Sequence, residues 1–317
     1  MRTKSLIEKP EHFVVHEIID DKFTRLFSRT SKGVQKIEKK YTLYIMKKTG
    51  TTTQAALATV AKYLDTSRDS IGYAGLKDKF AVTTQHITLK DADFEELDLG
   101  NVQLFKLGYT DKQISVGSLK GNHFVITLRR TRVKDPGSAV RKINQEGFPN
   151  FFGEQRFGNR CNNHIIGGLL VKRDFKEALK LINGNEKNKF KKIDEVEKRR
   201  LKFFVHAYQS WIFNTALGEC IKKKIAVKNL RIVGCNTVLR NSAADKLLSK
   251  ILAKQGVKPP DFKIHELKLS CSGTQRAAFV KTEIKFNRID GYIQLYFTLP
   301  KGSYATVVLA QLIKGSS

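Results

Sequence analysis

Apolar and polar positions alternate with a period of two in several stretches of this chain and recur at helical spacing in others. Phe13 to Ile19 is apolar and rich in β-branched residues, which predicts a strand; Tyr41 to Met46 predicts a second. Thr51, Thr52 and Thr53 offer N-caps for a helix that carries Ala56, Leu57, Val60, Ala61 and Leu64 on one side. β-type residues return from Thr83 to Leu89. Phe124, Ile126 and Leu128 alternate with Val125, Thr127 and Arg129, the pattern of a half-buried strand. Pro136-Gly137-Ser138 then opens a short helix that Gly147 closes.

The pattern changes after Gly147. Residues 173 to 223 have helical periodicity, with Leu201, Phe204, Val205, Tyr208 and Ile212 forming one broad apolar face. Asn183-Gly184-Asn185 reads as a turn, and the basic run Lys187 to Lys202 after it reads as a solvated helix face. Val257-Lys258-Pro259-Pro260 marks a loop. Tyr292 to Leu299 is strand-like, with Ile293, Leu295 and Phe297 on one face. Pro300-Lys301-Gly302 turns the chain, and Ser303 can cap a final helix bearing Val307, Val308 and Leu312. A β-rich start, a helical middle and a β-rich end predict one α+β domain interrupted by an inserted domain.

Composition adds a partner class. The 317 residues carry 58 lysines and arginines against 30 acidic residues, a formal net charge of +28. A typical soluble domain carries roughly 2 to 8 charges, so a polyanion such as nucleic acid is the expected partner. A lysine-rich solvated surface and an anionic membrane surface are the competing explanations. No uncharged run reaches the ~18 apolar residues of a membrane span, and Met1-Arg2-Thr3-Lys4 leads into no apolar signal segment. Cys161, Cys220, Cys235 and Cys271 form no CxxC pair, so neither a zinc site nor a disulfide framework is expected, and a reducing cytoplasm fits.

The chemistry concentrates in Gly72-Tyr73-Ala74-Gly75-Leu76-Lys77-Asp78-Lys79-Phe80-Ala81-Val82-Thr83-Thr84-Gln85. Asp78 stands between two lysines whose charge favours an ionised carboxylate, the state a carboxylate nucleophile needs. Gly72 and Gly75 allow close backbone approach. Against this stands the ordinary role of a loop aspartate, which is to cap a turn.

This stretch closely resembles the signature of the TruD family of tRNA pseudouridine synthases. Further stretches resemble that family in the expected order: Pro10-Glu11-His12-Phe13-Val14-Val15, Gly117-Ser118-Leu119-Lys120-Gly121-Asn122-His123-Phe124, Pro149-Asn150-Phe151-Phe152-Gly153-Glu154-Gln155-Arg156-Phe157-Gly158, and Phe297-Thr298-Leu299-Pro300-Lys301-Gly302-Ser303-Tyr304-Ala305-Thr306. Ala207 to Asn214 is a weaker match. The resemblance implies a pseudouridine-synthase-like catalytic domain with a central, mostly antiparallel sheet, formed by residues 1–146 and 279–317. An inserted α/β TRUD domain would occupy residues 147–278. It further implies an isomerase that converts a tRNA uridine, most commonly at position 13 in the D arm, to pseudouridine, with no cofactor and no metal. A cytoplasmic location and a monomer are expected.

By the same resemblance Asp78 is the nucleophile, and Phe13, Asn122 and Phe297 line the substrate pocket. Phe124 faces the same way as Asn122 if the stretch is a strand. Base–aromatic stacking contributes ~1 to 3 kcal/mol, which helps offset the extrusion of a base. Outside the family motifs, each phenylalanine would read as plain core. Lys77 and Lys79 bind phosphate, pair with Asp78, or do both. Arg156 holds a phosphate or ties the two domains together. His86, His123 and His206 have no partner pattern for a triad or metal site and read as structural. Ile7 stands where the family often has a lysine, so Lys9 or Lys4 substitutes or one contact is absent. Two other functions use the same residues: a non-catalytic RNA-binding or RNA-folding protein, and a metal-dependent nuclease with Asp78 as a ligand. The second lacks the cluster of neighbouring carboxylates that such sites gather.

Overall fold

The computed structural model describes residues 7–19, 40–129, 135–184 and 189–314. Lys4, Asn185 and Lys187 lie outside the described residues. The chain divides into two compact units: Met1–Glu146 with Thr282–Ala305 and Leu309–Ser317, and Gly147–Lys281 with Thr306–Val308.

The first unit contains β1 (Phe13–Ile19), β2 (Tyr41–Thr49), α1 (Thr53–Tyr63), β3 (Ile71–Tyr73), β4 (Val82–Leu89), β5 (Glu96–Asp98), β6 (Val102–Thr110), β7 (Leu119–Arg129), α2 (Pro136–Glu146), β8 (Lys285–Ile289) and β9 (Tyr292–Pro300). The strands form one sheet in the order β8-β9-β7-β1-β4-β2-β6-β5. Its pairings are antiparallel except β1 with β4, so the architecture is α+β around a mostly antiparallel sheet. The parallel ladder holds only Val14↔Val82, Val15↔Thr83 and His16↔Thr84. Beyond it β3 pairs antiparallel with β4, Ile71↔Leu89 to Tyr73↔Ile87.

The period-two pattern decides which side chains share a face. Phe13, Val15, Glu17 and Ile19 are the buried positions of β1, and Ile293, Leu295, Phe297 and Leu299 those of β9. Glu17 and Leu299 both lie opposite Asn122 on β7, and Val15 and Phe297 both lie opposite Phe124. Directly opposed residues project to the same side, so these six form one patch. Farther along, α1 packs Ala56, Leu57, Val60 and Ala61 against Tyr44, Met46 and Ile87. Thr52 caps α1 by accepting from Ala55 N at 3.1 Å.

The second unit contains α3 (Asn163–Val171), α4 (Phe175–Asn183), α5 (Lys198–Lys222) and α6 (Ala243–Gln255). Leu201, Phe204, Val205, Tyr208 and Ile212 of α5 are buried in its core, as their spacing predicts. Two expectations are corrected. The described part of the basic run is not a helix face before Lys198: Asn183 brackets Phe190, accepting from its N–H at 2.8 Å and donating to its carbonyl at 2.9 Å. Phe190, Ile193 and Val196 then pack on the core, which holds the segment off helical geometry. The C-terminal helix spans Ala305–Lys314, so Ser303 is not the residue immediately before it.

The two glycines of the motif differ. A Cβ on Gly72 would meet Thr88 Oγ1 at 2.3 Å and the Ile114 carbonyl oxygen at 2.5 Å, whereas one on Gly75 would meet only Leu119 Cδ2 at 3.7 Å. Gly72→Ala is therefore expected to destabilise the protein by about 1–3 kcal/mol, the usual range for overpacking, with Gly75→Ala close to neutral in the same denaturant titration.

Candidate active site

The segment from Ala74 to Ala81 connects β3 to β4. Its ends are buried, while Leu76 (59 % exposed) and Phe80 (48 %) project outward and Asp78 and Lys79 are also exposed. A loop this open needs its backbone tied from below to hold one shape, and three buried side chains tie it. Gln85 Nε2 donates to the Gly75 carbonyl at 3.4 Å. Thr53 Oγ1 accepts from Lys77 N at 2.9 Å and donates to Gln85 Oε1 at 3.0 Å. Lys48 Nζ donates to the Asp78 and Thr51 carbonyls, each at 2.8 Å. The same three side chains thus join the loop, the start of α1, β2 and β4.

Lys48 is 0 % exposed. An ammonium in that position loses its hydration, and burial pushes its pKa from 10.5 down to about 8. The charge of Asp78 opposes that shift and the charge of Lys77 adds to it. Lys48 therefore serves the loop as a double donor to backbone, and the nearby charge of Asp78 favours its protonated form.

Lys77 turns inward, with its side chain only 5 % exposed. Its Nζ forms an ion pair with Glu17 Oε2 at 2.6 Å and donates to Asn122 Oδ1 at 2.8 Å. The carboxylate of Glu17 is enclosed, and its Oε1 accepts from His86 N at 3.1 Å. Burial pushes the Glu17 pKa up, but hydrogen bonds from His86 and the charge and hydrogen bond of Lys77 outweigh that and leave it below the usual carboxylate value. Glu17 reaches His86 where the parallel β1–β4 ladder has ended at His16↔Thr84.

The three aromatic positions come together. The Phe124 and Phe297 rings stack at 5.4 Å, and Phe13 meets Phe124 edge-on at 6.1 Å. All three are buried, Phe297 to 1 % exposure. Arg156 belongs to the second unit, where its Nε donates to Ser210 Oγ at 3.1 Å and its guanidinium lies over the rings of Phe152 and Phe203. Ile7 is a core residue and Lys9 is exposed. His123 Nδ1 hydrogen-bonds Thr298 Oγ1 at 3.0 Å, and burial drives His206 down to about 4. Among the described residues no three His, Cys, Asp or Glu side chains gather into a metal-binding group, and no helix is long and apolar enough to cross a membrane.

Sequence reading alone assigned no site role to Glu17, Lys48, Thr53 or Gln85. The signal for two of them was present. Lys48 continues the Tyr44, Met46 series by steps of two, and Glu17 continues Phe13, Val15 in the same way, so each is a charge on a buried strand face. Thr53 was read only as a cap.

Lys48 yields a pH prediction. Its folded pKa of about 8 lies below its ordinary 10.5, so between those values the unfolded chain holds a proton that the folded chain has released. Stability from this group then rises with pH. In denaturant titrations the wild type should gain stability relative to Lys48→Met as pH is raised from 8 to 10.5, and a pH-independent difference would contradict the assignment.

Comparison with known proteins places the chain. The family model for tRNA pseudouridine synthase D (TruD) matches residues 3–193 and 219–312. The tRNA pseudouridine synthase D of Legionella pneumophila is 29 % identical, covering 96 % of this chain and 93 % of that protein. The one from Sulfurimonas denitrificans is 32 % identical over 76 % of this chain and 60 % of its own length. A crystal structure from Methanosarcina mazei, described as a tRNA pseudouridine synthase D (TruD), has the same fold: TM-score 0.74 at 24 % identity, covering 98 % of this chain and 93 % of that one. With five motifs in order, a mostly antiparallel sheet and a family match across most of its length, the chain belongs to the tRNA pseudouridine synthase D (TruD) family, a family of isomerases.

Proposed function

We propose that this protein isomerises a uridine of tRNA to pseudouridine, at position 13 of the D arm, with Asp78 as the nucleophile. The observation that carries the reading is an exposed aspartate on a loop whose backbone is fixed at Gly75, Lys77 and Asp78 by buried side chains. A nucleophile must meet its target within a few tenths of an ångström, and a tied backbone supplies that. The charges of Lys48 and Asp78 attract one another, while Ile7, where the family often has a lysine, is a core residue.

In the proposed reaction the uridine is extruded and Asp78 attacks the nucleotide. The C1′–N1 bond breaks and N1 gains a proton, the uracil turns, C5 bonds to C1′, the bond to the Asp78 carboxylate breaks, and the proton leaves C5. Asn122 contacts the base or ribose. Phe13 and Phe124 border the pocket, and the enclosure of Phe297 assigns it to backing Phe124 rather than offering an open face. Lys79 and the exposed Phe80 and Leu76 are free of the sheet and suited to the RNA backbone and an unpaired base. The ammonium of Lys77 is enclosed by Glu17 and Asn122, which favours a structural over a phosphate-binding role. For Arg156, its bond to Ser210 favours a role inside the second unit. A non-catalytic RNA-binding protein would have no use for a carboxylate that repels phosphate at this position.

Asp78→Asn is expected to bind tRNA as the wild type does and to release no tritium from tRNA labelled at uridine C5. Measurable pseudouridine from that variant would remove Asp78 from the mechanism. The net charge of +28 also predicts strong salt dependence. A protein neutralising ~6 to 10 phosphates loses roughly 10³- to 10⁵-fold in affinity between 50 and 200 mM salt on duplex DNA, and a fall of that kind is expected in filter binding with folded tRNA.

A further inference from the structure

Asn122 touches a buried ion pair, Lys77 with Glu17, and that pair fixes which end of the Asn122 amide meets the substrate. An ammonium has only donors, so the group of Asn122 that faces Lys77 Nζ at 2.8 Å must be the oxygen. Turning the amide over would set an NH₂ against an NH₃⁺. The nitrogen is therefore on the other side, and among the described residues it has no hydrogen-bond partner. Lys77 is held in place by Glu17, which is itself fixed on β1 directly opposite Asn122 on β7. Removing the Glu17 charge would leave Lys77 without its counter-ion and free to turn, and the amide free to flip.

We propose that Glu17 is a positioning residue that, through Lys77, locks the Asn122 amide with its NH₂ presented as a donor to an acceptor oxygen of the target nucleotide. This inference rests on the reading of the site given above. A donor at this point suits a uracil carbonyl or a ribose hydroxyl oxygen. It conflicts with the exocyclic amino group of cytosine, which is itself a donor. With the donor on O4 of uracil, cytidine would place its amino group there and leave the donor unmet, so the device favours uridine over cytidine at that position alone; O2 and the ribose hydroxyls are common to both nucleosides.

A double-mutant cycle tests it, with single-turnover tritium release from C5-labelled tRNA and filter binding as readouts. Glu17→Gln keeps the shape and an acceptor for His86 N, and its rate is expected to fall by at least about tenfold with tRNA affinity within about twofold of wild type. Asn122→Ala should fall at least as far. The double variant should match Asn122→Ala within about twofold, because Glu17 has nothing left to orient. Additive losses, or a Glu17→Gln rate equal to wild type, would overturn the proposal. If Glu17→Gln does not fold, Lys77→Met replaces it in the cycle with the same expectation. Asp78→Asn, run alongside, separates the two levels: an active Asp78→Asn enzyme defeats the reading of the site, whereas an inactive one with an additive cycle defeats only the role of Glu17.

Discussion

A carboxylate on an exposed loop keeps a fixed position only if the backbone beneath it is fixed, and here that is done by burying charge. Lys48 holds the Asp78 carbonyl from inside the sheet, and Glu17 and Lys77 form a buried ion pair. Neither arrangement is free of cost. Taking an ammonium or carboxylate out of water costs several kcal/mol after relaxation, and a buried pair regains that only with good geometry and further hydrogen bonds. Both have them: two backbone carbonyls for Lys48, His86 N for Glu17, and Asn122 for Lys77. A hydrophobic replacement would fill the same space, but it would carry neither the directional hold on the loop nor the positive charge acting on Asp78.

The sheet explains why these groups can meet. Four central strands supply the anchors, β1 with Glu17, β7 with Asn122, β4 with Gln85 and β2 with Lys48. The parallel β1–β4 ladder ends after three pairs, and past its end the Glu17 carboxylate finds a backbone donor. Gly72 lets β3 run close under Ile114, which sets where the loop leaves the sheet. The aromatic trio follows from register, since Phe124 lies opposite Phe297 and two positions along β7 from the Glu17–Asn122 pair, and Phe13 lies opposite Ile126, two positions further on.

Most of the fold was legible because its strands and helices each have one apolar face. Phe13–Ile19, Phe124 to Leu128 and Ile293 to Phe297 read correctly for that reason, as did Leu201 to Ile212 on α5. The basic run misled because a charge count cannot see that Phe190, Ile193 and Val196 pull their segment onto a core. At the site, the motif located the loop and Asn122, but not the ties beneath it. Lys77 was read as binding phosphate, pairing with Asp78 or both, and its spacing gives no hint that it turns inward to a partner 60 positions earlier. Lys48 and Glu17 were visible as charges on buried strand faces, a local conflict of pattern that marks functional sites.

The most direct test concerns the loop itself, apart from any chemistry. The Lys77 amide lies in an exposed segment yet donates to the buried Thr53 Oγ1 at 2.9 Å. Hydrogen exchange in the wild-type protein without RNA should find that amide protected while the amides of exposed Lys79 and Phe80 exchange freely. Exchange of the Lys77 amide at the rate of an unstructured peptide would contradict a loop held from below.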